Sequence, residues 1–190
     1  MGSKTSSLLR PDEVQALTEK TGFTTREIIR LYNRFACLDK SRSGFLRRED
    51  LQNIPEFSVN PLCNRVIEAF FWESDEVNFT QFATLLSTFR PIRSRTVKEF
   101  NNRDGKIKFL FRLYDVDKDG KLSKEDFHEV LAGLVGTTVQ DKEMEKVIMR
   151  AICEAGADIN DDDEEIFVTF EQFKKTLNHV DVETRLSMPF

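Results

Sequence analysis

Cysteine is scarce in this chain, with three residues at Cys37, Cys63 and Cys153, an odd number at wide spacing. That pattern excludes a disulfide framework and a thiolate zinc site, and it reads as a reducing, intracellular setting. Histidine is scarcer still: His128 and His179 stand without a nucleophile motif, a phosphate-binding glycine loop or zinc spacing, so no enzyme is specified. Long apolar runs are missing as well. No stretch approaches the roughly 18 residues that span a bilayer, and no apolar segment opens the chain as a secretion signal. Positive charge is in deficit, 28 Lys and Arg against 33 Asp and Glu, for a formal net charge of -5 and a pI near 5.3. Such a balance argues against nucleic acid as a general partner and suits oxygen-ligand metal sites.

What the 190 residues do contain is a repeat, with 17 Phe to fill its interior. Thr24 and Glu27 form a capping box that opens a helix running to about Leu38, with Ile28, Leu31 and Phe35 at helical spacing. Asn60-Pro61 opens a second helix to about Phe71, Asn as N-cap and Pro at the first helical position, with Leu62, Val66 and Ala69 as its buried stripe. Ile107, Leu110, Phe111 and Tyr114 make a third stripe. Met144, Val147, Ile148 and Ile152 make a fourth, in a helix starting after Thr138. Each stripe precedes a polar loop, then a short β-like segment (Phe45-Leu46, Val77-Phe79, Lys121-Ser123, Phe167-Thr169), then another helix. The result is four helix-loop-helix units.

The third loop carries the clearest chemistry. Asp115, Asp117, Asp119, Gly120, Ser123 and Asp126 occupy positions 1, 3, 5, 6, 9 and 12 of the twelve-residue Ca²⁺ pattern, and the Lys121 carbonyl supplies position 7. Carboxylates two residues apart converge on a hard cation because Gly120 permits the sharp turn, while Ser123 acts directly or through water. Position 12 is Asp126 where Glu is usual. One methylene less shortens its reach, lowers the ligand number, weakens Ca²⁺ binding and makes Mg²⁺ an alternative at the same site.

The other loops are weak or vestigial. Asp39, Ser41, Ser43, Gly44 and Asp50 keep the turn of the first loop but little of its charge, and Arg47 brings a cation near position 9. The second loop puts Phe70 and Trp72 where carboxylates belong, with Asn78 and Gln81 left as a capping box. In the fourth, Asp161, Asp163 and Glu165 fall on positions 1, 3 and 5, but Ile166 and Gln172 replace the turn glycine and the terminal acid. The expected fold is all-α, a calmodulin-like EF-hand fold of two lobes, each of two helix-loop-helix units with short β pairings. The expected organisation is an arm with a short helix over residues 1–23, an N-lobe over 24–89, a basic linker over 90–102, a C-lobe over 103–179 and a tail over 180–190.

Several segments together resemble the calcineurin B homologous proteins: Met1-Gly2-Ser3, Thr21-Gly22-Phe23, Asn60-Pro61-Leu62, Ala69-Phe70-Phe71, Phe89-Arg90-Pro91-Ile92, Phe111-Arg112-Leu113-Tyr114-Asp115 and Val180-Asp181-Val182-Glu183. The fourth loop is similar to that of the tescalcin-like members, in which the third loop is the main metal site. The resemblance implies a calcium-binding adaptor that holds an amphipathic helix of a plasma-membrane sodium/proton exchanger and supports its activity, maturation and stability. Alternatives are a regulatory subunit of a calcineurin-type Ser/Thr phosphatase, which uses the same kind of groove, and a simple Ca²⁺ buffer.

The N-terminal Met-Gly-Ser-Lys-Thr-Ser fits a myristoylation signal on Gly2. A single myristate anchors marginally, so a bound transporter tail would supply the second membrane contact. The expected address is cytoplasmic and peripheral at the plasma membrane, with endomembranes and the nucleus as further addresses. Arg90, Arg93, Arg95 and Lys98 give the linker a basic stripe, read as a solvated hinge with a lesser claim to anionic lipid.

Overall fold

The computed structural model describes residues 9–55, 61–92, 101–136, 141–157 and 166–190. Helix α1 (Pro11–Thr21) has Pro at its first position and ends at Gly22, whose φ of 72° permits a left-handed cap with its N–H on the Thr18 carbonyl. Helix α2 (Thr25–Leu38) starts at the Thr24 capping box: the Glu27 carboxylate accepts the Thr24 N–H at 2.7 Å, and Thr24 Oγ1 accepts the Glu27 N–H at 3.3 Å. It buries Ile28, Leu31 and Phe35. The first unit closes with β1 (Phe45–Leu46) and α3 (Arg48–Gln52), the second with α4 (Cys63–Phe70), β2 (Val77–Asn78) and α5 (Phe79–Ser87).

The C-terminal half repeats the plan. Helix α6 (Arg103–Tyr114) leads to β3 (Lys121–Ser123) and α7 (Lys124–Val135); α8 (Asp141–Glu154) precedes β4 (Phe167–Thr169) and α9 (Phe170–Thr176). A 3₁₀ turn and the short α10 (Val182–Arg185) follow. In each half the two loops meet through an antiparallel pair, Leu46 opposite Val77 and Leu122 opposite Val168. All four of these side chains are buried, so the strand pair is also the apolar floor under its two loops. Burial of each contributes roughly 1.5–3 kcal/mol relative to exposure, which explains why paired units persist where metal ligands do not.

Three sequence expectations need correction. Helix α4 starts at Cys63 with Leu62 as its N-cap, because the first i+4 bond runs from Val66 N–H to the Leu62 carbonyl at 2.9 Å. Asn60 lies outside the described residues. In α8, Met144, Ile148 and Ile152 are buried at strict i+4 spacing, whereas Val147, on the edge of that stripe, is 58% exposed. In α6, Leu110 is only half-buried, while Phe109 and Leu113 are buried beside Ile107 and Phe111.

The cause of that last difference is that α6 packs on two sides. Phe111 joins the C-lobe core, whereas Phe109 and Leu113 join Ala69 and Val130 in a third cluster, flanked by Leu62, Val66, Leu85 and Phe89. This cluster bridges the two lobes. The tail also reaches across: the Met188 N–H donates to the Phe89 carbonyl at 2.7 Å, and the Phe190 ring meets Phe23 edge to face at 5.0 Å. Beneath the tail, fully buried Lys106 donates from Nζ to the carbonyls of Thr88 (2.7 Å), Leu186 (2.8 Å) and Arg90 (3.2 Å). Arg90 is no part of a solvated hinge, since its guanidinium donates to the Thr21 carbonyl at 3.0 Å and covers the Phe23 ring. Arg93, Arg95 and Lys98 lie outside the described residues.

Candidate metal centre

Helix α6 delivers Asp115 as its C-cap, and α7 delivers Asp126 in its first turn, so the two ends of the third loop face one another across β3. Asp117 closes the set. Ligand oxygens of Asp115, Asp117 and Asp126 all lie within 4.8 Å of one another, with Asp115 and Asp126 buried and Asp117 exposed. Gly120 adopts φ 85°, and its N–H donates to Asp115 Oδ2 at 3.1 Å. Asp115 Oδ1 is buried and accepts no hydrogen bond. Burial, with added repulsion from Asp119 and Asp126, raises the Asp115 pKa despite hydrogen bonds from the Gly120 and Lys118 amides.

A buried, unpaired carboxylate oxygen facing two further carboxylates is unfavourable unless a cation joins them. The donor set is all oxygen, which fits a hard divalent ion such as Ca²⁺ and would use Asp115, Asp117 and Asp126 as its charged ligands. Asp119 is not part of this three-carboxylate cluster; one of its two oxygens, Oδ1, accepts the Lys121 N–H at 2.7 Å, as Asp117 Oδ1 accepts the Asp119 N–H at 3.2 Å. The Lys121 ammonium lies 4.0 Å from the centre of the Phe167 ring, across the strand pair. Ser123 is committed to capping: its hydroxyl donates to Asp126 Oδ2 at 2.7 Å and accepts the Asp126 N–H at 3.1 Å. Asp126 Oδ2 also accepts the Ser123 N–H at 2.7 Å, and Oδ1 accepts the Val116 N–H at 2.9 Å. With both oxygens already engaged, Asp126 is poorly placed to give two to a metal.

The first loop has the same backbone and the opposite electrostatics. Arg42 and Lys118, each at the fourth loop position, have φ of 56° and 65°, and Gly44 matches Gly120. Yet Asp39 is fully served from within: Oδ1 accepts the Ser41 hydroxyl and the Ser43 N–H, and Oδ2 accepts the Gly44 N–H at 2.7 Å. Burial pushes the Asp39 pKa upward, but these hydrogen bonds together outweigh it and the net shift is down. Ser43 turns its hydroxyl to the Phe45 carbonyl, and Asp50 caps Arg47 at 2.9 Å. Arg47 does not crowd the loop interior as the sequence implied; its guanidinium pairs with Glu76 at 2.6 Å. Loop 39–50 therefore satisfies itself without an ion.

In the second unit Phe70 is a core residue and Asn78 and Gln81 exchange both capping hydrogen bonds at 2.9 Å. Thr169 and Gln172 cap α9 in the same way. Asp161, Asp163, Glu165 and Gly2 lie outside the described residues.

Sequence reasoning missed a groove at the junction of the two lobes, because its walls come from four separate elements. Phe70, Trp72, Leu85, Phe109 and Phe170 line a space of about 530 Å³, rimmed by Lys20, Lys108, Arg112, Glu73 and Asp104. The available signal was the second apolar face of α6, Phe109 and Leu113, which one helical stripe leaves unexplained.

Comparison with known proteins gives a consistent picture. Residues 104–179 match the EF-hand domain pair. The chain is 37% identical over 189 residues to the calcineurin B subunit of Naegleria gruberi, covering 99% of each chain. It is 34% identical over 201 residues to calcineurin B homologous protein 3 of Gallus gallus, covering 95% of this chain and 92% of that protein. With the type 2 calcineurin B subunit of Dictyostelium discoideum it shares 36% identity over 155 residues, covering 81% of this chain and 79% of that one.

Proposed function

The chain belongs to the EF-hand family of calcineurin B subunits and calcineurin B homologous proteins, and from that premise we propose that it is an adaptor docking an amphipathic helix of a plasma-membrane sodium/proton exchanger. It is a calcium-binding regulatory protein. Loop 115–126 is its metal loop, with Asp115, Asp117 and Asp126 as the clustered carboxylate ligands, Asp119 and the Lys121 carbonyl completing the set, and Mg²⁺ as a competitor in the same place. The observation that carries the adaptor role is the interlobe groove. Five large apolar side chains over about 530 Å³, rimmed by charges of both signs, suit one face of a helix laid across both lobes. Myristate on Gly2 would add a weak membrane contact that a transporter tail reinforces, and the protein would then reside at the cytoplasmic face of the plasma membrane.

A phosphatase-regulating role is the second reading, favoured by the 37% identity to a calcineurin B subunit along the full chain. Two peptides separate them in a pull-down with Ca²⁺ present, one from an exchanger's membrane-proximal amphipathic helix and one from a calcineurin-type catalytic chain. Preference for the exchanger helix, abolished by Trp72→Asp on the half-buried wall of the groove, supports the first role; preference for the phosphatase helix replaces it with the second.

A further inference from the structure

The outer side of the metal loop is held by the other half of the molecule. Arg65 on α4 donates from Nε to the Leu113 carbonyl at 3.0 Å and from a terminal nitrogen to the Asp115 carbonyl at 2.9 Å. Lys118, inside the loop, gives Nζ to Glu68 of α4 at 3.1 Å and lies 5.7 Å from the centre of the Trp72 ring. Arg112, at the end of α6, covers the same ring at 5.5 Å and pairs with Glu73 at 2.7 Å. All the partners come from the second helix-loop-helix unit, which has no metal-binding pattern of its own.

We propose that this metal-incompetent unit positions and reads the metal loop: Arg65 fixes Asp115 through its carbonyl, and Trp72 senses the loop through Lys118 and Arg112. The inference rests on loop 115–126 holding the ion. Asp115 is both the residue with the unpaired buried carboxylate oxygen and the acceptor for Arg65, so a cation that draws on its side chain acts on the same residue that α4 grips. The Arg65 guanidinium holds two carbonyls two residues apart with two different nitrogens of one rigid plane, whereas a lysine at this position carries all its donors on a single nitrogen and lacks that fork. Charge alone predicts the reverse effect, since a cation near the loop repels Ca²⁺. Position and charge thus give opposite signs.

The test uses the full chain titrated with Ca²⁺, followed in parallel by calorimetry and by tryptophan emission, which reports Trp72 alone because the chain has one Trp. A saturable emission change should track the calorimetric isotherm and vanish in Asp115→Asn. Arg65→Met and Arg65→Lys should both weaken Ca²⁺ binding by about threefold or more, the scale of long-range coupling, with unchanged helix content by circular dichroism. Tighter binding by Arg65→Met would overturn the positioning role in favour of charge. Wild-type affinity in both variants, or a silent Trp72 on a chain that binds Ca²⁺ calorimetrically, would also overturn it. A wild-type chain that takes up no Ca²⁺ would instead sink the metal loop itself.

Discussion

Replacing Asp115 with Asn should stabilise the protein without metal and destabilise it, relative to wild type, when Ca²⁺ is present. The carboxylates of Asp115, Asp117 and Asp126 lie within 4.8 Å of one another, and at an effective dielectric near 20 each ionised pair at that distance repels by roughly 3.5 kcal/mol. Asp115 takes part in two pairs. Exposure of Asp117 screens one, and hydrogen bonds to both Asp126 oxygens soften the other, leaving a relief of about 1–3 kcal/mol after screening. Asn retains an oxygen for the Gly120 N–H, so the turn survives. At about 2–4 °C per kcal/mol, the metal-free variant should melt several degrees higher than wild type. Saturating Ca²⁺ at about 1,000 times its Kd adds about 4.1 kcal/mol to wild type and nothing to the variant, so their order reverses. Thermal unfolding by far-ultraviolet circular dichroism, in chelator and in Ca²⁺, reads both. A variant less stable than wild type in chelator, or equally stabilised by Ca²⁺, would refute the reasoning.

The two loops should also respond oppositely to acid. Asp115 has a raised pKa, so its contribution to metal-free stability is greatest in acid and is lost as pH climbs through the unfolded carboxyl range to that raised value; Ca²⁺ affinity falls over the same window as pH drops. Asp39 has a lowered pKa and contributes stability above the unfolded value that is lost as pH falls through the folded one. Asp39→Ala should therefore cost about 1–3 kcal/mol in urea unfolding and leave Ca²⁺ affinity unchanged; a weakened isotherm would make loop 39–50 a metal site after all. Asp126→Glu should tighten Ca²⁺ binding over Mg²⁺, and no gain by calorimetry would dismiss the argument from side-chain reach. Burial lowers the Lys106 pKa from 10.5 to about 8. Between those values the unfolded chain keeps a proton the folded chain has released, so stability relative to Lys106→Met should rise with pH there, and parallel pH profiles would contradict it.

Loops and strand pairs were legible in the sequence because their determinants are local. A capping pair three residues apart, a glycine at the sixth loop position and an alternating apolar residue in the β segment each act within one unit. Asp119 illustrates the limit: its spacing matches a ligand, but spacing alone does not show that its Oδ1 also accepts the Lys121 N–H two residues on. Arg47 and Arg90 looked like free cations because Glu76 and the Thr21 carbonyl are brought to them only by the fold. Lys106 was invisible for the same reason, its acceptors being supplied by Thr88 at the C-cap of α5, by Arg90 just after it and by the tail. The two-sided burial of α6 escaped a single-stripe reading because Phe109 and Leu113 answer to the other lobe.

Calorimetric titration of the full metal-free chain with Ca²⁺, beside Asp115→Asn, tests the metal-tuned character of this protein most directly. One tight ion per chain, lost entirely in the variant, is the expected result. A second tight ion, or a tight ion that survives in Asp115→Asn, would contradict a single metal loop at residues 115–126.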